Sequence, residues 1–300
     1  MRVRKSSRET ISAMAPPSLV QASLHLDFER DEASGRTILA SSTQEPPLRV
    51  VRAFAVEDGA ALVHLHNVSG GLLGGDCLDL RVRLGARAEV QLTTTGATRA
   101  YRSRRGTSAA SQSSEISVGG NALLEYLPDP LIPFAGARFS QRTTICLDAG
   151  AGLFWWEILA PGREARGEVF EYEHVEIWSR VMALGQPIAA EHIRLSPRAQ
   201  MLSSPVRLGF YRYYATFYVC RVGLDAATWL KAEQHLRESA REFTQSDKTL
   251  WGISTLVAHG LVVKCLARHG HDVLPGLQAL WRAAKRLLYN RNAVLPRKVH

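Results

Sequence analysis

The sequence predicts a mainly β protein with C-terminal helices, an α+β chain. Two observations carry that expectation. Apolar residues recur with a period of two from about Leu24 to Arg221, and with a period near 3.6 after Gly223. A third supports it: turn-forming clusters such as Glu57-Asp58-Gly59, Leu84-Gly85, Val118-Gly119-Gly120-Asn121 and Asp148-Ala149-Gly150 cut the first region into short strands.

Leu24-His25-Leu26-Asp27-Phe28, Asp79-Leu80-Arg81-Val82-Arg83-Leu84, Ala88-Glu89-Val90-Gln91-Leu92-Thr93 and His174-Val175-Glu176-Ile177-Trp178 all alternate. Alternation puts apolar side chains on one sheet face and polar ones on the other, as in hairpins and stacked antiparallel layers. Three helices are expected afterwards. Asp225 caps the first, with Trp229, Leu230, Leu236, Ala240 and Phe243 on one face. Ser246 or Asp247 opens the second, with Leu250, Ile253, Val257, Leu261 and Cys265 inside and an end near Gly270. The third holds Leu277, Leu280, Trp281, Ala284 and Leu288 and stops at Asn290. The expected organisation is a disordered basic tail over 1–21, a β-rich domain over 22–222 and a helical region over 223–300 packed on it.

With 300 residues and 46% hydrophobic side chains the chain can bury a sizeable core. The Ser-rich start lacks the continuous apolar stretch of a secretory signal. No stretch approaches the ~20 apolar residues of a membrane span. Cys77, Cys146, Cys220 and Cys265 are too scattered for a disulfide framework, which fits a reducing, cytoplasmic compartment. The net charge of +9 is spread along strands and lacks the basic stripe with interleaved aromatics of a nucleic-acid binder. It suits solubility and an acidic protein partner.

Asn67-Val68-Ser69-Gly70-Gly71-Leu72-Leu73-Gly74-Gly75-Asp76 is the sharpest local feature. A phosphate loop needs a helix behind it, whereas this one leads into a strand without a following lysine. It reads as a tight crossover in which Asp76 hydrogen-bonds the loop, with a functional Asp76 left open. His64 and His66 share a strand face and, with Cys77, are weak metal candidates lacking an evident further ligand. No G-x-S-x-G elbow is present. Glu125 or Asp129 with Glu157 or Glu168 offers the carboxylate pairing of a β-rich glycoside hydrolase, the alternative function.

The remaining notable stretches are Leu92–Ser103, with Thr93, Thr94, Arg99 and Tyr101; Glu125–Pro130, in which Pro128 and Pro130 stiffen a turn around Asp129; Ala137–Gln141, with Arg138 and Gln141; and Gly162–Phe170, with Arg163, Gly167 and Glu168. Together with the glycine-rich segment, in this order, they resemble the blocks of the urease accessory protein family UreD (UreH). Leu261–Leu266 and Pro296-Arg297 match more loosely, and Val68 stands where the family usually has proline.

The resemblance implies a β-helix-like stack of strands with a helical part. It implies no catalysis by the chain itself and no tightly bound cofactor. It further implies contact with apo-urease subunits, with UreF and with UreG, the GTPase that brings nickel and uses the GTP. The implied task is to give nickel in transit an internal, water-filled route. Such a route needs oxygen ligands that exchange fast, which selects Asp76, Asp129 and Glu168. Their structural alternatives are a turn cap, a solvated turn residue and an ion pair with Arg163.

Overall fold

A computed structural model describes residues 20–296. Most of the tail expected over 1–21 therefore lies outside the described residues. The strands are β1 (Gln21–Arg30), β2 (Thr37–Gln44), β3 (Leu48–Arg49), β4 (Ala53–Ala55), β5 (Ala61–Asn67), β6 (Cys77–Leu84), β7 (Glu89–Thr94), β8 (Thr98–Ala100) and β9 (Ala110–Val118). They continue as β10 (Leu123–Tyr126), β11 (Leu131–Pro133), β12 (Arg138–Leu147), β13 (Gly152–Leu159), β14 (His174–Ala183), β15 (Gln186–Leu195) and β16 (Tyr213–Arg221). Helix α1 (Ala226–Arg241), strands β17 (Thr249–Thr255) and β18 (Gly260–Ala267) and helix α2 (Val273–Tyr289) complete the chain.

Two sheets hold these strands. One has seven, in the order β15-β14-β12-β9-β6-β1-β2; the other has eleven, along the path β17-β18-β16-β13-β10-β7-β5-β3. From β5 to β14 the chain winds between them, laying β6, β9, β12 and β14 in the first and β7, β10 and β13 in the second. Neighbours along both runs are parallel. This is the β-helix-like stack that the family resemblance implies.

The antiparallel layers expected from alternation are confined to the ends, where β2 pairs β1, β15 pairs β14, and β16, β18 and β17 extend the larger sheet. Alternation reports which face of a strand is wet and is blind to the direction of its neighbour. Here the outer face of a parallel run is polar, as in β6, where Asp79, Arg81 and Arg83 form surface ion pairs while Leu78, Leu80, Val82 and Leu84 are buried.

The expected second helix is a hairpin. Trp251 and Ile253 on β17, and Leu261, Val263 and Cys265 on β18, face one side, whereas Leu250 and Val257 are exposed. Residues chosen at helical spacing came from two strands that each alternate, and the β-branched run Val262-Val263 favours extended backbone. The other two helices form as read. Asp225 Oδ1 accepts the Thr228 N–H at 2.7 Å, and Asn290 ends α2 in the left-handed region at φ 51°. Leu230, expected inside α1, is exposed.

Both helices cover the outer face of the larger sheet through Trp229, Leu236, Leu277 and Trp281, packed on Phe154, Trp156 and Phe217. One buried ion pair pins α2 there. Lys285 Nζ lies 3.0 Å from Glu125 of β10, and Trp281 Nε1–H donates to the same carboxylate at 2.9 Å. Gln91 Nε2 reaches Glu125 at 3.3 Å and the Val294 carbonyl at 2.9 Å, tying down the segment after the helix. Burial pushes the Glu125 carboxyl upward against the opposing pull of Lys285. Removing one member of such a pair strands the other charge away from water. Lys285→Met is expected to cost about 3 kcal/mol in denaturant unfolding, and Lys285→Met with Glu125→Gln to recover part of the loss.

Candidate functional site

The space between the two sheets is not uniformly apolar. One cluster includes Leu24, Leu26, Val82, Ile116, Ile145, Trp155 and Val181; another, nearer the loops that carry the sequence blocks, includes Leu72, Leu78, Ala110, Phe139, Val175 and Ile177. The inward positions between them are polar. They are Gln112 and Ser114 on β9, Gln141 and Thr143 on β12, Glu157 on β13, Ser179 on β14, Glu191 on β15, and Tyr214 and Thr216 on β16. Because the strands stack in register, these side chains line up along the stacking direction. A cavity of about 250 Å³ follows the row, from Leu48, Leu65 and His66 at one end, past Gln112, Gln141 and Glu157, to Ile193, Tyr214 and Thr216 at the other.

The row is hydrogen-bonded through two carboxylates. Glu157 accepts Ser179 Oγ–H at 2.6 Å and a Gln141 Nε2–H. Glu191 accepts Thr216 Oγ1–H and Tyr218 O–H, each at 3.1 Å, together with Tyr214 O–H and the Lys264 ammonium. The two carboxylates respond oppositely. Burial drives the Glu157 carboxyl up to about 7, helped by the nearby charge of Glu191. Glu191 is also desolvated, yet Lys264 and the hydroxyls of Tyr214 and Tyr218 hold it below the usual range. Glu157 lines the cavity.

The sequence blocks form the loops at one end of this stack. Gly71 packs against the Tyr101 ring, where an added Cβ would lie 2.6 Å from the Arg99 carbonyl. Gly162 holds φ 143°, with the Glu168 carbonyl 2.7 Å from where its Cβ would be. Gly70, Gly74 and Gly75 complete the first loop, and Gly167 the fourth. Successive loops are laced together. Thr93 Oγ1–H donates to the Leu127 carbonyl at 2.8 Å, Arg99 reaches the Gly70 carbonyl at 3.4 Å, and Arg138 reaches the Arg104 carbonyl at 3.1 Å. The Pro128 carbonyl accepts Trp156 Nε1–H at 2.9 Å, and that of Pro130 accepts the Thr98 N–H at 3.0 Å.

The three carboxylates singled out from the sequence occupy different settings. Asp129 lines the cavity and exchanges hydrogen bonds with Thr94, at 2.9 Å from its own N–H and 3.2 Å to its carboxylate. Asp76 is buried in the glycine-rich loop, accepting the N–H of Leu73 at 2.8 Å and of Val20 at 3.2 Å. Glu168 is gripped by Arg163 and accepts the Ala135 N–H at 3.1 Å. Arg163 also lies over the Phe134 ring, 4.2 Å from its centre.

His64 is buried edge-on to Phe54, while His66 touches the cavity and is driven downward by desolvation and then by His64. Cys77 opens on the outer face of the seven-stranded sheet beside Ser111. Among the described residues no three His, Cys, Asp or Glu side chains converge to hold a metal ion. The glycosidase pairing also separates: Glu125 is locked under α2, Glu157 faces the intersheet cavity and Glu168 serves a loop. The larger sheet's backbone lies between Glu125 and Glu157, because the inward residues of β10 are Leu124 and Tyr126.

These loops and strands match, over residues 20–300, the family model described as UreD urease accessory protein. The chain belongs to the UreD urease accessory protein family. It is 46% identical over 277 residues to the urease accessory protein UreD of Herpetosiphon aurantiacus, covering 92% of this chain and 96% of the relative. It is 33% identical to that of Dechloromonas aromatica, covering 97% and 98%. The urease accessory protein UreH of Helicobacter acinonychis is 26% identical, covering 81% and 87%. The chain is thus a urease accessory protein and not an enzyme.

Glu191, Ser179, Tyr214, Thr216 and Lys264 were not among the residues singled out from the sequence. The available signal was a polar residue at an inward position of an alternating strand, as with Ser179 between Ile177 and Val181. The raised Glu157 carboxyl sets a pH dependence. It holds its proton to about 7 folded and to 4.5 otherwise. The folded chain therefore carries the extra proton between those values, and stability falls as pH rises through that window and levels off above it. Glu157→Gln is expected to remove the slope. Its gain over the wild type should grow by about 1–2 kcal/mol between pH 5 and pH 8, the partial exposure of Glu157 reducing the full effect.

Proposed function

We propose that this UreD-family chain is a scaffold that links apo-urease to a UreF–UreG GTPase assembly and carries nickel through its interior. The supporting observation is the polar row with its cavity, which separates the two intersheet apolar clusters from β9 through β12 and β14 to β15 and β16. Hydroxyl, amide and carboxylate oxygens dominate the row, donors from which a hard-to-intermediate divalent ion exchanges faster than from thiolate or imidazole cages. Asp129 lines the route near the loops that carry the sequence blocks, whereas Asp76 and Glu168 hold those loops in shape. GTP is used by the partner, nickel is cargo rather than a resident cofactor, and the setting is cytoplasmic. No helix among the described residues is long and apolar enough to cross a membrane.

The test narrows the passage without touching its carboxylates. Gln112 lines the cavity from β9. Gln112→Trp is expected to lower the nickel content and activity of co-expressed urease by about tenfold, while urease, UreF and UreG still co-purify with the chain. Gln112→Ser should retain activation. Full activation by the tryptophan variant with the complex intact contradicts the internal route. Absence of urease and UreF–UreG from wild-type pull-downs contradicts the scaffold.

A further inference from the structure

Lys264 ends the polar row in an unusual way. It sits on β18 beside Thr216 of β16, and its side chain turns into the intersheet side, opposite Leu261, Val263 and Cys265. The ammonium sits on Glu191 and lies 2.7 Å from Tyr214 Oη and 3.1 Å from Thr216 Oγ1. Tyr214 and Thr216 themselves line the cavity. The seven-stranded sheet stops at β15, so among the described residues no further strand of it lies over this part of β18. The lysine side chain is accordingly 38% exposed while Glu191 beneath it is only 18% exposed.

The other neighbour of Lys264 is Gly252 of β17, and no atom lies within 4 Å of where a Gly252 Cβ would point. Residues directly opposite in an antiparallel pair share a face, so this open space lies beside the lysine stem. The ammonium thus has three oxygen partners inside and an unobstructed path outward. Lysine is suited to such a post, being a compact cation on a flexible stem that exchanges partners without the fixed fork of arginine.

We infer that Lys264 is the gate of the proposed passage, a built-in cation that holds the oxygens of Glu191, Tyr214 and Thr216 until a divalent ion displaces it and the lysine swings over Gly252 into solvent. This rests on the passage proposed above. It assigns that end of the route a selectivity by charge. A monovalent ion arriving from the cavity offers Glu191 no more than the tethered ammonium already does, whereas a divalent ion does. Glu157, further along the row, supplies a second carboxylate within electrostatic reach of Glu191.

Two variants separate gating from mere packing. Lys264→Met keeps the stem and removes the competing charge, and Gly252→Leu keeps the ammonium and fills its way out. The probe is Ni²⁺ alone, measured by equilibrium dialysis on the full chain in its complex with the other accessory proteins. Lys264→Met is expected to bind Ni²⁺ about tenfold tighter than the wild type, since the competing cation is gone, and adding Glu191→Gln should abolish the gain. Gly252→Leu should weaken Ni²⁺ binding severalfold, because the displaced lysine has nowhere to go, and slow urease activation at limiting nickel. Equal Ni²⁺ affinity of Lys264→Met and wild type, with the complex intact, overturns the gate. So does normal activation by Gly252→Leu. Loss of the complex with urease already in the wild type would instead count against the scaffold reading, and the Gln112→Trp result against the passage itself.

Discussion

The structure depends on one constraint: polar side chains placed between two apolar layers must find partners or water in a medium that penalises unpaired groups. A β stack of this kind could fill its interior with valine and isoleucine throughout. Here two apolar clusters are separated by Gln112, Gln141, Glu157, Ser179, Glu191 and Thr216. The carboxylates are tolerable only because Gln141 and Ser179 serve Glu157, while tyrosines, Thr216 and Lys264 serve Glu191. The row gives up apolar burial, which is worth about 25 cal/mol per Å², in exchange for a wettable seam.

Parallel winding makes that seam continuous. β9, β12 and β14 stand in the same register, so Ser114, Thr143 and Ser179 form a line rather than scattered defects, whereas the matching position on β6 is Leu80. The loops at the coil corners then have to hold the coils in step. Glycines allow close approach at Gly71 and Gly162, Thr93, Thr94, Arg99 and Arg138 bond from one loop to the next, and Arg163 holds Glu168 within its own loop. The order and spacing of the sequence blocks follow from this: they fall at successive corners, with Glu125–Pro130 and Ala137–Gln141 on either side of the same β10–β12 connection. The buried Glu125–Lys285 pair does a separate task on the far side of the larger sheet, fixing α2 and leaving the intersheet space to the row.

Much of this was legible in the residues. Alternation in β1, β6, β7 and β14 located the strands, Asp225 and Asn290 bounded the helices, and the blocks led to the family. Strand direction was not legible, because side-chain period is the same for parallel and antiparallel neighbours. The 250–266 segment misled, since leucines and isoleucines in two adjacent strands fell at helical spacing by coincidence. Asp76 and Glu168 stood out by their motifs, yet both are bonded into loops, and only Asp129 of the three reaches the cavity. The row itself was hidden for the opposite reason. Ser179 or Glu191 alone looks like an ordinary surface residue until register places it beside its counterparts on other strands.

The most direct measurement of the central claim is a high-resolution crystal structure of the chain in its accessory complex, refined for ordered solvent between the sheets. A water-filled seam predicts a continuous file of waters from Thr94 and Asp129, past Gln112, Gln141 and Glu157, to Thr216, each water bonded to those side chains. Side chains closed on one another, with no ordered water between Asp129 and Thr216, would contradict it.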